Sequence, residues 1–249
     1  MSAIRGARER ARIEVTAAIK DEARRQLAAE GAAKLSLRAV ARELGMVSSA
    51  LYRYFPSRDE LLTALIVDAY DSVGAVAESA GRTGAPGPSE PAAHLARWVA
   101  VACAVRGWAL AHPHEYALIY GSPVPGYTAP QATVGPASRV GRVLIAVVED
   151  AHREAGLAVP PLAAELRPEA ERLAADLAIG LPPEVAASIV AAWAQLFGLV
   201  SFEVFGQFNR VVEARDVFFR HAAEELARTV GLLGAARRGG TGTAGRARR

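Results

Sequence analysis

Residues 35–62 read LSLRAVARELGMVSSALYRYFPSRDELL, and their pattern decides the fold. Ser36 stands before Leu37, Val40, Ala41 and Leu44, which recur at i, i+3, i+4 and i+7. That spacing is one apolar face of a short helix behind a hydroxyl cap. Gly45 supplies a tight turn, because glycine adopts positive φ at little cost. Val47, Ala50, Leu51 and Tyr54 then repeat the same spacing, and Pro56 ends the second helix. Ser57-Arg58-Asp59-Glu60 is a capping box for a further helix through about residue 78. Two short amphipathic helices joined at a glycine make a helix-turn-helix.

The second helix has a core side and an outer side. With Val47, Ala50, Leu51 and Tyr54 turned inward, the outer side presents Ser48, Ser49, Tyr52 and Arg53. Small hydroxyl residues let a helix backbone sit deep in a DNA major groove. Ser48, Ser49 and Ala50 are therefore expected at base edges. Tyr52, Arg53 and Arg58, with the Ser36 cap, are expected to hold phosphates. Arg58 opens the next helix, where free N–H groups already attract anions.

Upstream, residues 9–30 read as a helix, with Val15, Ile19, Ala23 and Leu27 in one stripe and Gly31 as its stop. The reader thus spans residues 9–60, and a connecting helix follows over 61–80. Residues 81–91 (GRTGAPGPSEP) read as a linker, and 92–233 as a larger helical domain. Within that domain, helices are expected near 92–111, 113–121, 137–156, 183–208 and 212–233. The Pro/Gly-rich segments 121–136 and 157–183 read as loops, the second with room for a short helix. Residues 234–249 form a low-complexity basic tail, expected to be disordered. The fold class is all-α.

The stretch 35–62 resembles the DNA-binding domain of the TetR family. The matching residues are Ser36, Val40-Ala41, Leu44-Gly45, Leu51-Tyr52, Tyr54-Phe55 and Arg58-Asp59-Glu60. The chain departs from the family where a hydroxyl residue often caps the recognition helix: Val47 stands there, so Ser48 is expected to take over and shift the helix start by one residue. Residues 106–130 (RGWALAHPHEYALIYGSPVPGYTAP) resemble the WHG-type ligand and dimerisation domain of some TetR-like regulators, through Trp108, His112-Pro113, Gly121 and Pro125-Gly126-Tyr127. The resemblance implies a homodimer that represses from a palindromic operator and responds to a small molecule.

Charge is segregated in a way that fits. Residues 1–60 carry 12 basic and 8 acidic side chains, the tail adds five arginines, and the net charge of the whole chain is only +3. A basic head on an acidic body places the polyanion at the head. An architectural DNA-binding protein without effector would have no use for so large an aromatic-rich body, and an adaptor that had lost DNA binding would have no use for an intact reader. Enzymatic activity is not expected. Cys103 lies in an alanine- and valine-rich helix, and His112, His114 and Glu115 complete neither a metal site nor a catalytic constellation. No cofactor is implied. The single cysteine and the absence of an apolar leader fit a cytoplasmic protein. The uncharged run Val185–Phe202 is at the short limit for a membrane span and contains Ser188, Gln195, Gly198 and Ser201, so it reads as a buried helix rather than a membrane segment.

Two further expectations concern the body. Val185, Ile189, Trp193, Leu196 and Val200 form one stripe, and Val190, Ala194, Phe197 and Phe205 another. A helix apolar on two sides needs two partners, so a dimer interface is expected from the first stripe together with Phe219, Leu226 and Val230. An effector pocket is expected among Trp98, Trp108, His112, Tyr116, Tyr120, Tyr127, Trp193 and Phe197, whose rings suit an apolar or aromatic ligand. The helix at 113–121 is the expected lever to the DNA reader, with Gly121 and Trp108 as its sensitive positions.

Overall fold

The computed structural model describes residues 2–83, 91–177 and 180–232. Eleven helices appear among them, and no strand: α1 (Ser2–Glu30), α2 (Leu37–Glu43), α3 (Ser48–Leu51), α4 (Arg58–Thr83), α5 (Pro91–Ala111), α6 (Pro113–Tyr120), α7 (Val134–Ala137), α8 (Arg139–Glu154), α9 (Arg167–Asp176), α10 (Pro183–Val204) and α11 (Arg215–Thr229). The expected helices are all present. The first starts seven residues early, at Ser2, and the loop at 157–183 carries α9.

Two apolar cores organise these helices. Ile19, Ala23 and Leu27 of α1 meet Leu37, Val40, Leu51, Phe55, Leu61, Leu62 and Leu65 in the small head. The body core gathers Trp98, Val101 and Val105 of α5, Leu144 and Val148 of α8, Leu196 and Val200 of α10, and Phe219 and Leu226 of α11. Each such side chain contributes about 1.5–3 kcal/mol by leaving water. Helix α4 belongs to both cores. Its first half gives Leu61 to Ile66 to the head, and its second half gives Ala69, Val73 and Ala77 to the body. One helix thus packs into both cores.

The stretch 81–91, expected as a linker, is helical over its first three residues. Helix α4 continues through Thr83, and residues 84–90 lie outside the described residues, as does the basic tail. Gly81 is not a breaker. A Cβ there would stand 2.8 Å from the Val143 side chain, so this glycine lets α8 press against α4. Gly45 does the turning work assigned to it, at φ +63°.

The apolar helix α10 is long enough to cross a membrane by composition alone. Here Val185, Ile189, Leu196 and Val200 are buried against the body. Its Glu203 is also buried and grips Arg106 of α5 with two hydrogen bonds of 2.6 Å, and Arg106 reaches on to Asp216 of α11 at 2.7 Å. This ionic knot fixes α5, α10 and α11 relative to one another.

Candidate nucleic-acid interface and effector site

The outer side of the helix-turn-helix is built much as its spacing predicts. Ser36 caps α2 by accepting the Ala39 N–H at 3.4 Å. Ser48, Ser49, Tyr52 and Arg53 are exposed, and Ala50 is half-buried. Leu51 beneath them is fully buried and anchors α3 to the head core. Ser57 accepts the Glu60 N–H at 3.1 Å, which is half of the capping box.

Two expectations need correction here. Val47, assigned to the core side, is 70% exposed. It caps α3 by backbone geometry alone, and Ser48 is the first helical residue rather than the cap. Lying beside Ser48 at the outer face, Val47 offers methyl groups of the kind that contact a thymine methyl. The one-residue offset arises because the turn after Gly45 directs Met46, not Val47, onto the head core. Arg58, expected at phosphates, has its guanidinium engaged within the protein. Its Nε donates to the Leu35 carbonyl at 3.2 Å, and one Nη to the carbonyls of Ala32 and Ala33 at 2.8 and 3.3 Å. The other Nη meets Asp59 at 3.3 Å. Arg58 therefore ties the turn before α2 to the start of α4, and its guanidinium is occupied by the protein's own backbone.

A polar bridge, invisible in the sequence pattern, joins this head to the body. Arg24 of α1 donates to Glu115 of α6 at 3.0 Å and to Asp68 of α4 at 2.7 Å, and Lys20 reaches Asp68 at 2.8 Å. Further along, Thr63 of α4 shares a 2.9 Å hydrogen bond with Tyr127.

The expected effector residues are mostly packing residues. Trp98 is fully buried. Trp108 donates its indole N–H to Ser72 at 2.8 Å, with the His112 ring stacked on it at 5.3 Å. His112 sits at the start of α6 with Nδ1 3.0 Å from the Trp108 carbonyl. Tyr116 is buried, donates to the Phe197 carbonyl and pairs with Ser201. Tyr120 and Trp193 both lie against Phe197, at 4.2 and 4.6 Å between ring centroids. These rings fill one another's space, as buried aromatics commonly do. Tyr127 differs: it lines an open cleft of ≈ 590 Å³. Gly121 cannot serve as a neutral probe of the site either, since a Cβ there would fall 2.3 Å from the Ala117 carbonyl oxygen and break the end of α6. Cys103 is half-buried, and burial pushes its thiol up, away from a reactive thiolate.

The expected dimer residues are placed as follows within one protomer. Val185, Ile189, Leu196, Val200, Phe219, Leu226 and Val230 are all buried within the protomer, and Trp193 is half-buried. The first apolar stripe read from α10 is thus used inside the body, whereas of the second only Phe197 is buried and Val190, Ala194 and Phe205 are exposed. A third face of α10 is open: Ala191, Gln195 and the 53%-exposed Phe202, with the half-buried Gly198 between them, beside Phe218 and His221 of α11.

A helix-turn-helix head rigidly joined by one shared helix to a helical body is the architecture of a DNA-binding transcriptional regulator. Residues 19–65 match the family described as bacterial regulatory proteins, tetR family, and residues 98–226 match the tetracyclin repressor-like C-terminal domain. The chain belongs to the TetR family. It is 42% identical over 212 residues to the HTH-type transcriptional regulator Rv1816 of Mycobacterium tuberculosis, covering 82% of this chain and 86% of that one. The same figures hold for the regulator Mb1846 of Mycobacterium bovis. The crystal structure of the regulatory protein SCO4313 superposes with a TM-score of 0.70 at 36% identity, over 88% of this chain and 97% of that one. A TetR-family regulator of Thermus thermophilus, PfmR, shares the fold at a TM-score of 0.56 and 16% identity, over 86% and 98% of the two chains.

Proposed function

We propose that the chain is a cytoplasmic homodimeric repressor that binds an inverted-repeat operator and leaves it when a small, uncharged effector binds. The observation that carries this reading is the single helix α4, which belongs to the head core at one end and the body core at the other. A ligand that favours one tilt of α4 shifts the spacing of two heads, and only such a difference in affinity can release DNA.

The open face of α10 and α11 supports the dimer. Ala191, Gln195, Gly198 and Phe202 follow helical spacing, and the small Gly198 and Ala222 permit close approach. A second copy would supply an identical face, and twofold closure of two such helix pairs makes a four-helix interface. Ser48, Ser49 and Val47 would then read bases, with Tyr52 and Arg53 on phosphates.

The test is selection of bound DNA from a random pool, followed by mass measurement of the complex. An inverted repeat bound by two chains is the expected result. An asymmetric site bound by one chain would overturn the reading.

A further inference from the structure

The ≈ 590 Å³ cleft lined by Tyr127 lies between α4, the turn after α6, and the segment leading into α8. Its wall includes Ile66 and Tyr70 of α4, Ile119 of α6, and Tyr127, Thr133 and Ser138. No charged side chain lines it. Arg139, which follows the lining Ser138 in the chain, is engaged by Asp71 and Glu78. The volume lies within the range of about 300–1,000 Å³ usual for small-molecule sites.

The hydroxyls give the cleft a polarity. Tyr70 donates to the Ile119 carbonyl at 3.4 Å, Thr133 to the Pro130 carbonyl at 2.8 Å, and Ser138 to the Gly135 carbonyl at 2.8 Å. With their hydrogens committed to the backbone, these oxygens offer lone pairs to a ligand. The matching ligand is neutral, mainly apolar, and carries an O–H or N–H donor. A charged group would lose its hydration with no counter-charge to replace it.

The cleft also has a mechanical neighbour. Leu118, Ser122, Pro123 and Val124 form a partition, and behind it lies a second cleft of ≈ 450 Å³ whose far wall is Leu27, Ala32 and Ala33 of the head. The Ala32 and Ala33 carbonyls are the ones Arg58 holds. A ligand filling the first cleft presses the partition toward the head, and the second cleft gives it room to move.

We propose that this head–body cleft, rather than the aromatic core of the body, is the effector site, and that its ligand class is a neutral apolar molecule with a hydrogen-bond donor. The proposal rests on the reading of the chain as an effector-released repressor.

A matched pair of fluorescent probes tests it. N-phenyl-1-naphthylamine is neutral and has one N–H, and 1-anilinonaphthalene-8-sulfonate adds an anion to the same skeleton. The full-length protein is titrated with each, alongside Ala137→Trp and Ala129→Phe, which crowd the cleft from two sides, and Tyr120→Phe in the aromatic core. Ala129 lies in an exposed loop, so its variant keeps the fold even where Ala137→Trp does not. The neutral probe is expected to bind the parent and Tyr120→Phe alike, to lose about tenfold or more in affinity on either crowding variant, and to outcompete the sulfonate by a similar factor. Unchanged affinity in a folded Ala129→Phe variant, or equal binding of the sulfonate, overturns the site. If the probe binds as expected and operator DNA stays bound throughout, the cleft stands and the release function falls.

Discussion

Arg24 and Glu115 meet at 3.0 Å, and through that contact the first helix of the DNA reader is tied to the first turn of the helix that borders the effector cleft. Arg24 also holds Asp68 of α4 and Asp21 of its own helix, so one guanidinium serves three carboxylates on three elements.

This arrangement makes the two ends of the pair unequal. Glu115→Gln removes one charge and leaves Arg24 with two partners. Arg24→Met strands Asp21 and Glu115, with only Lys20 left beside Asp68. The groups are part-exposed, so each effect is modest. Glu115→Gln is expected to cost less than about 1 kcal/mol and Arg24→Met about 1–2 kcal/mol, both shrinking in high salt. Thermal unfolding at two ionic strengths measures this. Equal losses for the two variants would show that Arg24 is not the hub.

Arg58 and Arg53 separate by their salt dependence. Arg58 holds three backbone carbonyls, so Arg58→Ala is expected to lower head stability by about 1–3 kcal/mol and to leave the slope of log affinity against log salt unchanged. Arg53 is exposed at the end of the reader, and Arg53→Ala is expected to reduce that slope by about one at unchanged stability. DNA titrations between low and moderate salt distinguish them. A smaller slope for Arg58→Ala would return Arg58 to the phosphates.

The contrast marks what could be read from the chain alone. The period of Leu37, Val40, Ala41 and Leu44 and the glycine at 45 follow from local rules, and so the head was legible to within a residue or two. The side of Val47 was not, because one residue of offset after a turn exchanges inner and outer positions. The hold of Arg58 on the head was not legible either, because its acceptors lie 23–26 residues away, on carbonyls that no composition reveals. The body aromatics were correctly found to converge. Whether converging rings leave a cavity depends on packing to fractions of an ångström, as between Tyr120 and Phe197, and periodicity carries no such information. On α10 the first stripe is apolar through contact with the protomer's own core, while Val190, Ala194 and Phe205 of the second face outward, a difference that apolar periodicity alone does not carry.

Three phenols give the fold an alkaline limit. Burial raises Tyr120 well above its ordinary value, with the nearby Tyr70 and Tyr116 adding to it, and burial likewise raises Tyr116 and Tyr70. In the unfolded chain these groups lose their protons near pH 10, while the folded protein keeps them. Their contribution is therefore complete below about pH 10 and declines as pH rises toward the folded values, by up to about 1.4 kcal/mol per pH unit for each phenol. Urea midpoints are expected to fall between pH 10 and 11, with a shallower fall for Tyr120→Phe. A Tyr120→Phe curve parallel to the parent would remove Tyr120 from the account.

The dimer face offers the sharpest discrimination, because the two candidate sets of residues on α10 lie on the same helix and differ in burial. Leu196 is fully buried in the protomer, whereas Phe202 is 53% exposed. Leu196→Ala leaves a cavity under α10 and is expected to cost about 2–5 kcal/mol in the stability of each chain. Phe202→Asp places a carboxylate on the open face. It is expected to leave the body folded, since the ring already meets water and touches mainly Phe208, at 5.7 Å between centroids. In a dimer, two such carboxylates would be brought toward each other out of water on a face that offers Gln195, Gly198, Phe218, His221 and Glu225 and no lysine or arginine to pair them. Sedimentation of Phe202→Asp at micromolar concentration should then give the mass of one chain, with helical content retained and operator affinity strongly reduced, since a single head holds half of an inverted repeat. Leu196→Ala, where it stays folded, should sediment as a dimer. A dimeric Phe202→Asp variant with full operator affinity would remove the open face of α10 from the interface and leave the association of two chains to another surface.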